Sequence, residues 1–182
     1  MKTSEFQSLD EMKSSWADVL HSWEHLEQTM MMVFHTVLTA RRISVSEIVF
    51  NTIASPRMLR TLIDNLAFEL VPEPQLRELN KLTERFSRMA SKRNGLVHGR
   101  WCQVHHEQEF GAYAIEWYRK HLSPNLDAHY PPTTFESDQL KRRERWYSKD
   151  LKEQKVQFSS LALDIQDFIP KLAMQISEYG RA

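Results

Sequence analysis

A chain of 182 residues suffices for one domain whose core buries roughly two-thirds of the unfolded chain's surface, so a single domain over 1–182 is expected. Lysine plus arginine number 24 and aspartate plus glutamate number 24, which leaves no global charge to attract nucleic acid or a membrane; any basic site must be local. Four glycines are too few for a Walker-type or dinucleotide-binding loop, and the single Cys102 excludes an internal disulfide and a multi-thiolate zinc site.

One cysteine suits a reducing compartment, and the cytoplasm is the expected address. No apolar run reaches the roughly 18 residues of a membrane span, and Met1 to Asp10 lacks the basic-then-apolar order of a signal peptide. A soluble, unprocessed protein with no membrane partner is expected.

From Trp16 the apolar residues recur at three- and four-residue spacing through Val19, Leu20, Trp23, Leu26, Met30, Val33, Phe34, Val37 and Leu38, which predicts one long amphipathic helix over about 9–40. Met30 belongs to that stripe, so the triplet Met30 to Met32 reads as core filling rather than a ligand-binding methionine surface. His21 and His25 lie opposite the stripe and read as exposed histidines, not metal ligands. A second helical region over about 45–70 is expected to break near Ser55, because Ser55-Pro56 supplies an N-cap and a proline at the first helical position. Pro72 and Pro74 stop it, and Leu76, Leu79, Leu82, Phe86 and Met89 then mark a third long helix to about residue 97.

The pattern changes after Gly99. Tyr113, Ile115 and Trp117 alternate with Ala114 and Glu116, which suggests a short strand or hairpin. Residues 123–137 hold Pro124, Pro131 and Pro132, the composition of an exposed loop. An irregular insert over about 101–147 is therefore expected. Asp150 with Glu153 reads as a capping box opening a last helix along which Phe158, Leu161, Ile165, Phe168, Ile169, Leu172 and Ile176 recur at helical spacing to Gly180, with a kink or split at Pro170. Four to five long helices with short connections predict a mainly α fold, an antiparallel bundle.

A basic stripe runs along the third helix: Lys81, Arg85, Arg88 and Lys92 are spaced four, three and four apart and share one face. Residues 81–100 contain six bases, these four with Arg93 and Arg100, against the single acid Glu84. Such a strip is what a phosphate backbone binds, and it equally describes a solvated helix face. Arg93 is in register with Leu79, Leu82, Phe86 and Met89, so helical geometry turns its guanidinium toward the apolar seam, where it needs a compensating partner or anion. The local sequence is Arg93-Asn94-Gly95-Leu96-Val97-His98-Gly99. In an ideal helix Arg93 and His98 lie about 140° apart, while Asn94 and His98 share a face and could hydrogen-bond.

Arg-Asn, three residues, then His-Gly at the end of a long helix in an all-α chain resembles the HEPN superfamily (higher eukaryotes and prokaryotes nucleotide-binding domain). The resemblance implies a helical bundle that dimerises so that two copies of the motif meet in one cleft. Many members are metal-independent endoribonucleases, so it implies RNA as substrate, no metal or other cofactor, and Arg93, Asn94 and His98 as the motif residues. It further implies a toxin or defence role restrained by a partner, for which an antitoxin of nucleotidyltransferase type is the candidate.

The residue types fit that chemistry. When a ribose 2′-hydroxyl attacks the adjacent phosphate, charge builds on the non-bridging oxygens, which arginine's planar fork suits, and imidazole can move the proton at neutral pH. Arg100 and His105 repeat the spacing, but Trp101 follows that arginine and no glycine follows that histidine. His105-His106-Glu107 is a weak metal candidate, and Arg142, Arg143 and Arg145 beside Trp146 and Tyr147 read as a solvated flank more than an RNA-stacking surface. The second open reading is a non-catalytic helical module that binds nucleotide, RNA or a protein.

Overall fold

A computed structural model describes residues 8–53, 55–104, 112–118 and 143–179. Five helices run in the order α1 (Leu9–Leu38), α2 (Ile43–Thr52), α3 (Pro56–Leu70), α4 (Glu73–His98) and α5 (Ser148–Tyr179). Between α4 and α5 lie three strands, β1 (Arg100–Val104), β2 (Ala112–Tyr118) and β3 (Arg143–Trp146). The fold is mainly helical, a bundle with a small sheet inserted before its last helix. The expected hairpin is a three-stranded antiparallel sheet of order β1-β2-β3. The proline-rich segment 123–137 lies outside the described residues.

Helix ends follow local chemistry. Ser8 Oγ accepts the Glu11 N–H at 3.1 Å and so caps α1. Thr39, at φ 50°, ends that helix in the left-handed region. Ser55 caps α3 by accepting the Met58 N–H at 3.2 Å, with Pro56 at the first helical position. Pro74 does not stop a helix: it sits in the first turn of α4, where no backbone donor is required. The last helix begins earlier than its capping pattern suggests. The Tyr147 carbonyl accepts the Leu151 N–H at 3.0 Å and Asp150 Oδ2 accepts the Tyr147 N–H at 2.9 Å, so Asp150 is the third-position acid reaching back rather than the cap itself. Nor does Pro170 split α5. It is exposed, so the carbonyl it leaves unpaired faces water, while Phe168 and Leu172 on either side stay buried.

The chain packs as two compact units whose boundaries fall inside α1, α4 and α5 and not at the edges of the 101–147 insert. One comprises Met1–Ala17 with Lys92–Glu153, the other Asp18–Ser91 with Gln154–Ala182. In the second unit the predicted stripes form the core: Trp23, Leu26 and Met30 of α1, Ile63 of α3, Leu79 and Phe86 of α4, and Phe158, Ile165 and Phe168 of α5 are all buried. Trp23 stacks on Phe86, centroids 5.2 Å apart, and meets Phe158 edge-on at 5.3 Å. In this core His35 Nδ1 pairs with the fully buried Ser46 Oγ at 2.9 Å, while Gln75 Oε1, Asn80 Oδ1 and Ser87 Oγ are buried without a hydrogen-bond partner among the described residues.

In the first unit Ile115 of β2 is fully buried, and in register it stands between Trp101 and Trp146. Ser148 Oγ donates to Glu11 Oε1 at 3.3 Å and so accepts from Ser15 Oγ at 2.9 Å. Lys152 Nζ donates to the same carboxylate at 2.8 Å. That bond and the ammonium charge, helped by Ser148, hold the Glu11 carboxyl below its ordinary 4.5. Lys155, 2.8 Å from Asp18 within the second unit, lowers that carboxyl from 3.8 in the same way.

Phe158→Ala should destabilise the protein by about 3–5 kcal/mol, the range for emptying an aromatic site in a packed core, read as a fall in the urea midpoint. Both carboxyls bind their proton more weakly folded than unfolded, so their stabilisation is complete above pH 4.5 and is lost as pH falls through the lowered folded values. Thermal melts of the wild type and of a Lys152→Met/Lys155→Met variant should differ above that pH and converge below it.

Candidate functional site

The last turn of α4 carries the motif. Leu96 is buried at 1 % exposure, Arg93 and Asn94 are half-buried, and His98 is exposed at the final helical position. Arg93 emerges half-buried because it lies seven residues after Phe86 and inherits its face, as the sequence register requires. Arg93 Nη1 donates to Asn94 Oδ1 at 3.2 Å. Among the described residues no bond joins Asn94 to His98: the neighbouring guanidinium, a charged donor, takes the amide oxygen. Asn94 therefore orients the arginine and not the imidazole.

The helix end is held from α1. A helix leaves its last four carbonyls without intrahelical donors, and the Trp16 indole Nε1–H donates to one of them, the Leu96 oxygen, at 3.3 Å. The chain then passes from helix to strand across Gly99, and Trp101 of β1 packs against Trp16 edge-to-face, centroids 5.8 Å apart at 69°. Sequence reasoning placed Trp16 in the α1 stripe alone. Its contact with residues some 80 positions later left no trace in periodicity.

The basic stripe divides between the two units. Lys81 and Arg88 are exposed and Arg85 half-buried on the α4 segment of the second unit. There Arg85 Nη1 lies 2.7 Å from Asp164 Oδ2 of α5, and Arg88 Nη1 3.7 Å from Glu84 Oε1. Arg85 and Arg88 thus already have carboxylate partners, though partly exposed pairs of this kind contribute only about 0–1 kcal/mol. Lys92 is exposed within the first unit, and Arg100 opens β1 in register with Glu116.

Other candidates recede. Trp146 is 8 % exposed, in register with Ile115, so it offers no face for stacking RNA. His21 Nδ1 lies 3.8 Å from Glu24, and His25 Nε2 is 3.2 Å from Gln166 Nε2. Among the described residues no three His, Cys, Asp or Glu side chains group as metal ligands. His105, His106, Glu107 and Arg142 lie outside the described residues. No helix among them is long and apolar enough to cross a membrane. In comparisons with known proteins, the chain matches no protein-family model, no curated protein and no solved structure.

Trp16→Phe keeps an aromatic side chain, smaller than the indole, and removes the N–H donor to Leu96. It should cost about 1 kcal/mol and speed amide hydrogen exchange in the last turn of α4, with exchange in α3 unchanged.

Proposed function

We propose that the protein is a metal-independent endoribonuclease of toxin or defence type, working in the cytoplasm as a homodimer. The observation that supports this most directly is the motif's arrangement at the end of α4: Arg93 oriented by Asn94 at 3.2 Å, with His98 exposed to solvent one turn on. The resemblance of Arg93-Asn94 and His98-Gly99 to the HEPN pattern supplies the reaction class.

In this reading the ribose 2′-hydroxyl attacks the neighbouring phosphorus and the bond to the 5′-oxygen breaks, giving a 2′,3′-cyclic phosphate and a 5′-hydroxyl. One imidazole removes the hydroxyl proton and another protonates the departing oxygen. Each chain offers one motif histidine, so two copies of His98 divide the work across a dimer cleft. The partial negative charge at a helix C-terminus does not attract phosphate. The anion must be held by side chains, and the Arg93 guanidinium is the group suited to the transition-state charge. Lys81, Arg85, Arg88, Lys92 and Arg100 are the candidates for binding the rest of the RNA backbone, with Arg85 exchanging Asp164 for phosphate. A nucleotidyltransferase-type antitoxin is the restraint this reading anticipates.

Purified protein should cleave single-stranded RNA in EDTA and leave cyclic phosphate ends, with at least a hundredfold loss in His98→Ala, the scale of general acid–base catalysis. Arg93→Ala should lose activity as severely. Cleavage that survives His98→Ala, or RNA binding without any cleavage, overturns the nuclease reading; the second result leaves a non-catalytic binding module.

A further inference from the structure

Trp101 is the largest apolar side chain left open beside the motif. It is 41 % exposed on β1, two residues past Gly99, at one end of a row whose other members, Ile115 and Trp146, are 0 % and 8 % exposed. The row supports one side of the indole, and the edge-on Trp16 ring, 5.8 Å away, fixes its orientation. Trp16 is itself anchored to the Leu96 carbonyl of the motif turn. A rigid, half-open aromatic surface is thus tied to the same turn that presents His98. Trp101 is three positions after His98, so their Cα atoms lie within about 11 Å. A base resting on Trp101 would belong to a nucleotide beside the phosphate at His98.

We propose that Trp101 is a stacking seat for one nucleobase of single-stranded RNA, flanking the scissile phosphate, with Trp16 as its edge-on support. The occupant is argued from chemistry. Every base presents a π-face to an indole, stacking tolerates any sequence, and the stretch 92–100 that leads into Trp101 holds three basic residues, Lys92, Arg93 and Arg100, and no acid, which draws the attached phosphates. Duplex RNA keeps its bases stacked on each other and cannot use the seat. The inference rests on RNA being the substrate class of the proposed function, but it does not require cleavage.

The test is binding by fluorescence anisotropy in a His98→Ala background, with a labelled single-stranded RNA and with the same strand made abasic throughout. Trp101→Ala should weaken binding to the intact strand roughly tenfold, within the range for losing one base–aromatic stack, and leave the abasic strand unaffected. Trp101→Tyr should retain most of the affinity. The slope of affinity against salt should not change, because no phosphate contact is lost. Equal losses on intact and abasic strands, or a changed slope, overturn the seat, as does a change of oligomeric mass in Trp101→Ala, which would mean that a second copy covers the indole. If the wild type binds in this base-dependent way and does not cleave, the seat stands and the nuclease reading falls. If it binds no RNA, both fall.

Discussion

The Trp23, Phe86 and Phe158 cluster is the constraint from which the rest follows. Three helices far apart in sequence each contribute one large ring, with centroids 5.2 and 5.3 Å from Trp23, and Trp23 and Phe86 are each 3 % exposed. Rings in such contact are worth about 0.5–1.5 kcal/mol beyond their buried area. More important is the rotation they impose. Once Phe86 faces the core, helical periodicity decides the face of every later residue on α4. Seven residues on, with a drift of only about 20°, that face belongs to Arg93. Arg93 therefore shares the helical register of Phe86 two turns away.

Some of the polar groups drawn inside find partners within the protein. Thr83 Oγ1 donates to Asp64 Oδ1 at 3.4 Å while Arg60 reaches the other oxygen at 3.4 Å. Ser15, Ser148 and Glu11 form a relay that ends on Lys152. These bonds specify register more than they add stability. The exposed pairs, such as Lys152 with Glu11, contribute little in water, and their main physical effect is to lower the acid range in which the carboxylates protonate.

A neutral total charge says little about ligands when the charge is distributed unevenly. Residues 1–30 hold six acids against two lysines, and 81–100 six bases against one acid. The structure refines that contrast: Arg85 is matched to Asp164 within its own unit, so part of the stripe serves packing as well as any anion. The turn that carries Arg93 and His98 has apolar neighbours in Trp16, bonded to the Leu96 carbonyl, and Trp101, packed edge-on against Trp16.

Periodicity alone determined the helices. The three- and four-residue spacing of α1, α4 and α5 named most of the large buried side chains but not Met12, Leu96 or Leu151, Ser55-Pro56 marked the α2–α3 break, and Tyr113-Ile115-Trp117 marked β2, because these signals are local and each side chain's face follows from backbone geometry. The motif was legible for the same reason, its residues falling within one short stretch of chain. Tertiary structure alone decided what needs a partner from elsewhere. It matched Arg85 to Asp164, gave Asn94 to Arg93 rather than to His98, buried Trp146, and brought Trp16 to the end of α4. A hydrogen bond across 80 positions depends on where two helices meet, and no periodicity within either helix encodes that.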